Sequence, residues 1–288
     1  MGLRRKRALR GYLAILPLMA GCIVFYAAPF LLVLWKSMAK GVGRTERFVG
    51  LSNYRAVLKS EVFSRAFGNT MRFLAVCLPL ILVLSLLIAL FLRGQAAKHQ
   101  RLKTVLLLPY MMPVAGTVML LELLFAEAGL VNLGLYTLGL PVEDWLHSNA
   151  AFWVTVGLYL WKNTGYSVIL LLSGLTTIPE ELDAAAALDG ANWFQRLWSI
   201  TLPQMWYSFF FATVFSLINA FKCFREIFLV GGSNPHESIY MLQHFINNAF
   251  AKMSYAKLAV AAVLLLAVLV VCFALGYRLV LRKEAYRE

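Results

Sequence analysis

The sequence predicts an all-α membrane protein of six transmembrane helices, with both termini on the cytoplasmic side, and three observations predict it. First, 61% of the 288 residues are hydrophobic and only 14% are charged. Soluble domains carry about 45–50% apolar and about 25% charged residues, so lipid solvates most of this surface. Second, the apolar residues gather in six continuous runs, each about as long as the ~20-residue helix needed to cross a ~30 Å hydrocarbon core. Third, the net charge of +13 is spread over the ends of those runs. It therefore orients the chain in a bilayer and does not form a nucleic-acid surface.

The first run, residues 11–35, follows the basic start MGLRRKRALR and carries no charge for 25 residues. A signal-peptide apolar region is about 7–15 residues long, so this run reads as a retained first span. Residues 73–92, 104–125, 151–174, 205–230 and 258–277 supply the other five. They are continuous, unlike the alternating segments of about ten residues in a membrane β-barrel. Residues 1–10 then form a basic cytoplasmic N-terminus, 11–280 one membrane domain and 281–288 a cytoplasmic tail. Residues 36–72 and 231–256 become outer loops, and 175–204 a cytoplasmic loop.

Orientation rests on Lys and Arg in the short loops. With a cytoplasmic N-terminus, that side holds fourteen: five from Arg4 to Arg10, then Arg93, Lys98, Arg101, Lys103, Arg196, Arg278, Arg282, Lys283 and Arg287. The other side holds ten, eight of them between Lys36 and Arg72. The five charges packed before span one decide the direction. In the crowded first outer loop, Tyr54, Val57, Leu58, Phe63, Ala66 and Phe67 recur at helical spacing, with Arg55, Lys59 and Arg65 between them. This pattern predicts a short amphipathic helix on the outer surface, its basic residues among lipid headgroups.

The chain has no GxxxxGK[ST] phosphate loop, HExxH or GxSxG, so it is not expected to act as an enzyme alone and its energy must come from a partner. His99, His147, His236 and His244 are scattered, which predicts no metal centre. Cys22, Cys77, Cys223 and Cys272 lie in or beside apolar runs and read as small buried hydrophobes. Ionisable residues within spans are functional candidates because their desolvation must be compensated. Lys162, mid-span in WKNTGYS, has two readings: with Asn163 it lines a polar path, or it makes an interhelical bond or ion pair with Glu122. Lys222 and Glu226 are four apart and can pair on one helix face, beside Arg225. Asn219 and Lys222 join Lys162 and Asn163 as substrate-path candidates. Pro109 and Pro113 interrupt span three, as proline does when it removes a helix hydrogen bond.

Residues 179–203, PEELDAAAALDGANWFQRLWSITLP, form a polar module between two spans. Pro179 suits a first helical turn, and Glu180, Glu181 and Asp183 favour the positive end of the helix dipole. Four alanines, Ala184 to Ala187, propagate the helix, and Asp189-Gly190 stops it. Asn192 caps a second helix running through Trp198, and Leu202-Pro203 leads into span five. An alanine-rich face lets another surface approach closely, although an ordinary connector has the same chemistry.

Gly190, nine residues, Ile200, one residue and Leu202-Pro203 resemble the EAA signature of binding-protein-dependent ABC importer permeases. Pro179-x-x-Leu182 and Leu188-Asp189-Gly190-Ala191 resemble its fuller sugar-permease form. Ala185 and Ala186 match the two signature alanines, while the glutamate falls on Ala184. Further along the chain FVGLSNY (48–54) with Asn69-Thr70, LLLPYMMP (106–113) and residues 221–250 resemble other parts of sugar-type permeases of the maltose and glycerol-phosphate kind. Arg225 stands where many members have Asp.

The resemblance implies a MetI-like permease fold and the role of membrane subunit in an ATP-driven importer of a carbohydrate or sugar derivative. A non-sugar solute and an ion-driven secondary transporter are the alternatives. It also implies a second permease, two ABC ATPases holding ATP and Mg, an external solute-binding protein and a bacterial inner-membrane location. The residues implied in ATPase coupling are Glu181, Asp183, Ala184, Ala185, Ala186, Asp189, Gly190, Ile200, Leu202 and Pro203.

Overall fold

The computed structural model describes residues 2–41, 43–93 and 100–284. Lys98, His99, Arg287 and the tail beyond residue 284 lie outside the described residues. The chain is helical almost throughout, and its contacts gather in two units. One comprises residues 1–64 with 245–268, and the other residues 65–244 with 269–288.

In the first unit α1 (Gly2–Cys22) passes through a π turn, Ile23–Ala27, into α2 (Ala28–Met38). Pro29 lacks the N–H that would reach back to the Phe25 carbonyl, and the widened turn just before it absorbs the defect. The span Gly11–Met38 has a mean hydropathy of 2.2 and buries none of its apolar window within the chain; in a bilayer its partners are lipid or another subunit. A two-residue hairpin follows, β1 (Ala39–Lys40) against antiparallel β2 (Arg47–Phe48). It is stapled to the end of α2 by Glu46, which accepts from Lys36 Nζ at 2.7 Å and Trp35 Nε1 at 3.0 Å.

The amphipathic segment expected after it is two helices, α3 (Ser52–Leu58) and the start of α4 (Glu61–Arg93). Val57, Phe63 and Ala66 are buried as the spacing requires, whereas Leu58 is 57% exposed. Asn53 donates to the Ser37 and Ala39 carbonyls, and Tyr54 Oη meets Ser37 Oγ at 2.8 Å. α3 is thereby docked on the protein, and α4 runs straight on into span two instead of ending at the surface. The N-terminal part of α15 (Tyr255–Glu284) completes this unit.

The second unit contains most of α4, followed by α5 (Gln100–Met111) and α6 (Val114–Phe125). Span three, expected as one kinked run over 104–125, is thus broken outright: Pro113 is extended, with ψ 150°. The apolar span that follows is Val114–Thr137, formed by α6 and α7 (Leu130–Thr137). Next come α8 (Ala151–Thr176), α9 (Glu180–Leu188), α10 (Trp193–Arg196), α11 (Leu202–Gln204), α12 (Trp206–Lys222), α13 (Phe224–Gly231) and α14 (Leu242–Ala251).

Among the described residues five helical segments are long and apolar enough to cross a membrane, with mean hydropathy from 1.4 to 3.2. The helix expected as span four, α8, is long enough but is not among them. Its burial supplies the reason: Phe152, Val156, Tyr159, Val168, Leu171, Leu172 and Leu175 are all buried, so most of α8 meets protein and tolerates polar residues, while Trp153 and Trp161 stay exposed. These are satisfied internally. Tyr159 Oη donates to the Ser216 carbonyl at 2.7 Å, Asn163 to the Tyr159 carbonyl at 2.8 Å, and Ser167 Oγ lies 3.3 Å from Ser216 Oγ.

Gly165 lets α5 approach closely, because a Cβ there would stand 1.8 Å from the Leu106 carbonyl oxygen. Two apolar clusters complete the packing. Phe73, Cys77, Ile81, Phe152, Tyr159 and Leu217 form one, and Ala89, Leu92, Leu171, Leu175, Met205 and Ala212 the other. Cys77 and Cys223 are buried as expected, but Cys22 and Cys272 are exposed.

Candidate functional site

The four path candidates come together. Lys162 and Asn163 from α8, and Asn219 and Lys222 from α12, line one cavity of about 240 Å³. Tyr110 from α5 and Arg225 and Glu226 from α13 complete its polar wall. α12 ends at Lys222 and α13 begins at Phe224, with Cys223 between them still in the right-handed helical region.

The local pair expected between Lys222 and Glu226 is absent among the described residues, and so is the pair between Lys162 and Glu122. Instead Lys162 Nζ lies 2.5 Å from Glu226 Oε1 and 3.3 Å from Thr117 Oγ1. The Lys162 and Glu226 side chains are only 14% and 6% exposed. At that burial the two charges must compensate each other. Glu226 Oε2 is also buried and has no hydrogen-bond partner. Among the described residues neither Lys222 nor Arg225 has an ion-pair partner. The sequence left Lys162 either lining a polar path or paired across helices, and the structure gives it both a cavity wall and an acid partner. Which of the few acids paired with it depended on a contact spanning 64 residues.

The module at 179–203 forms a helix, a turn and a second helix. Pro179 caps α9 from outside rather than sitting in its first turn, with φ −58° and ψ 134°. Gly190 adopts φ +81°, the left-handed conformation expected at the stop, and Ala191 N–H reaches back to the Ala186 carbonyl at 2.9 Å. Asn192 accepts from Gln195 N–H at 2.9 Å while Gln195 Oε1 accepts from Asn192 N–H at 2.8 Å; this reciprocal capping box starts α10. The helix then runs through a π turn, Leu197–Thr201, to Pro203, the same device as at Pro29.

Asp183 is occupied within the chain, its carboxylate 3.0 Å from Arg93 Nη2. Arg93, Glu180, Asp183, Trp193, Arg196 and Thr201 share a groove of about 610 Å³. Glu181, Ala184, Ala185, Asp189 and Gly190 are exposed, and Ala186, Ile200, Leu202 and Pro203 half-buried. The surface is also apolar: Leu188 is 89%, Trp198 69% and Phe194 66% exposed. The spacing had marked the backbone of this module but not this patch.

On the other loop, Asn69 donates to the carbonyls of Glu237 and Tyr240, Arg65 pairs with Glu237, and Thr70 Oγ1 accepts from Leu242 N–H. His244 is buried among Phe224, Phe228 and Tyr240, and burial pushes its pKa down to about 4. His236 Nδ1 instead meets Ser238 Oγ, so the two histidines of this loop serve separate local structures.

A family model described as "Binding-protein-dependent transport system inner membrane component" matches residues 56–285. The chain belongs to that family. It is a multi-pass membrane permease component, and its similarity to other members runs over most of its length. It is 34% identical over 237 residues to the trehalose/maltose transport system permease protein MalF of Thermococcus litoralis, covering 81% of this chain and 80% of that one. It is 29% identical to the arabinooligosaccharides transport system permease protein AraP of Bacillus subtilis, over 79% of this permease and 74% of AraP. To the sn-glycerol-3-phosphate transport system permease protein UgpA of Yersinia pestis it is 29% identical, over 96% and 95% of the two chains. The fold matches a crystal structure of a bacterial ABC transporter involved in import of the acidic polysaccharide alginate. The TM-score there is 0.82 at 21% identity, over 96% of both chains. A second structure of a bacterial alginate ABC transporter, in complex with an alginate-pentasaccharide-bound periplasmic protein, gives a TM-score of 0.80 at 20% identity.

Proposed function

We propose that this permease forms, with a second permease, the path for a carbohydrate or sugar derivative delivered by an external binding protein, and that two separate ATPase subunits drive it. ATP and Mg bind in those subunits. The six spans are the five apolar segments and α8, the third being Val114–Thr137 in place of the expected 104–125, with both termini cytoplasmic and the chain in a bacterial inner membrane. The segment 179–190 is the joint to the ATPase. ATP binding moves it and shifts the spans between outward-open and inward-open states.

The observation that carries this reading is the surface of the 179–203 module. It is a helix stopped at Gly190 and a second helix capped at Asn192, and it presents Leu188, Phe194 and Trp198 to the exterior, as a docking patch does and a solvated connector does not. Asp183 is engaged with Arg93, so Glu181 is the acid offered to the ATPase in place of the signature glutamate at Ala184. The relatives transport maltose, arabinooligosaccharides or glycerol phosphate by name, which supports a polyhydroxylated cargo.

The test is to purify the complete transporter carrying Leu188→Arg or Glu181→Ala and to measure ATPase retention and ATP-dependent uptake in proteoliposomes. Leu188→Arg should lower both by about tenfold or more, equivalent to ~1.4 kcal/mol or more of docking energy, and Glu181→Ala less. Normal ATPase retention in Leu188→Arg, or uptake that survives ATP depletion and stops with an uncoupler, would overturn the proposal.

A further inference from the structure

We infer that the cavity walled by α8, α12 and α13 is a subsite for an anionic polyol, that is, a sugar or glycerol derivative carrying phosphate, sulfonate or carboxylate. This rests on reading the chain as part of a solute path. Four charged residues line the cavity: Lys162, Lys222, Arg225 and Glu226. The first and last neutralise each other at 2.5 Å. Lys222 and Arg225 remain, on either side of Cys223 and without an ion pair among the described residues, so the cavity is left with two positive charges. Both are exposed, so an anion entering the cavity meets them directly.

A simple anion does not complete the site. Glu226 is 4% exposed, and its Oε2 is buried with no hydrogen-bond partner. Its Oε1 is held by Lys162, so Glu226 leaves ligand recognition to the rest of the wall. Tyr110, Asn163 and Asn219 supply neutral polar groups there, and the complementary ligand carries hydroxyl groups toward them and an anionic group toward Lys222 and Arg225. The volume of about 240 Å³ is below the ~300–1,000 Å³ of sites for drug-sized ligands, which fits one sugar unit at a time.

The same anionic chemistry could come from a lipid headgroup, and the experiment separates the two sources. The full chain is placed in nanodiscs of zwitterionic phosphatidylcholine, and glucose 6-phosphate, glucuronate, glucose and inorganic phosphate are compared by saturation-transfer NMR and competition. At least one anionic sugar should bind about tenfold or more tighter than both glucose and inorganic phosphate. Lys222→Gln with Arg225→Gln should abolish that preference without changing thermal melting, and Lys222→Arg with Arg225→Lys should keep it. Equal binding of glucose, an unaffected double variant or no binding of either anionic sugar overturns the inference. So does loss of probe binding when phosphatidylglycerol is added to the nanodiscs, which assigns the cations to headgroups. Uptake by the complete transporter is scored separately. ATP-driven import of a neutral sugar alone sinks this inference and leaves the importer standing, whereas anionic-sugar binding without ATP-driven uptake does the reverse.

Discussion

The module at 179–203 and the cavity around Lys162 are both polar interruptions of an apolar chain, but they are built in opposite ways. The module is assembled from neighbours. Asn192 and Gln195 cap each other across three residues, and Gly190 lets Ala191 bond back to Ala186. The cavity is assembled from distant residues: Lys162 reaches Thr117 and Glu226, 45 and 64 positions away. A locally built element keeps its shape while its apolar face stays exposed to receive a partner. A site built over long range can enclose charge, because several helices must pack before it exists. Perturbing the buried Lys162–Glu226 pair of the cavity should therefore cost global stability, and perturbing the module should cost coupling.

The largest effect is expected at the buried pair. Glu226→Ala strands Lys162 in a site where its side chain is 14% exposed, and removing one partner of a buried ion pair costs about 3–5 kcal/mol. Thermal melting of the purified protein should fall accordingly. Lys162→Met combined with Glu226→Leu should recover most of the loss, since a well-packed apolar pair of similar volume is often neutral. If the single variant melts like the parent, the cavity is water-filled and the contrast with the module weakens.

Gly165→Ala comes next. The added Cβ would stand 1.8 Å from a backbone oxygen, that of Leu106, so no side-chain rotation relieves it and α5 must move away from α8. Overpacking costs about 1–3 kcal/mol, and a backbone clash belongs at about 3. The stacking of Tyr110 on Tyr166, at 4.9 Å, should be lost with it, which moves Tyr110 out of the cavity wall. The expected result is a lower melting temperature together with weaker solute uptake. Unchanged melting would mean that α5 is not held against α8 as closely as the structure places it.

The same division decides what could be read from the chain. The spans were legible where lipid demands continuous apolar runs, and the module was legible because caps and stops act through residues three to five apart. The partner of Lys162 was not, because Glu122 and Glu226 are equally acidic in sequence and only the packing of α8 against α13 selects between them. Span three hid its break for a related reason: two prolines promise a kink, but whether Pro113 bends the helix or ends it depends on what receives the freed groups. α8 was found by length alone, since its polar residues mimic a weak span until burial accounts for them.

The smallest effect tests the module itself. Asn192→Ala removes the side chain that accepts from Gln195 N–H, and losing an N-cap costs about 1 kcal/mol. Asn192 is exposed and touches neither apolar cluster, so melting of the membrane domain should hardly change. What changes is how firmly α10 carries Phe194 and Trp198. ATP hydrolysis should then respond less to solute while solute binding stays intact. Asn192→Asp, which preserves the accepting oxygen, should restore the response. If Asn192→Ala instead lowers melting as much as Gly165→Ala does, the module is part of the packed core and the distinction between a locally built joint and a globally built cavity fails.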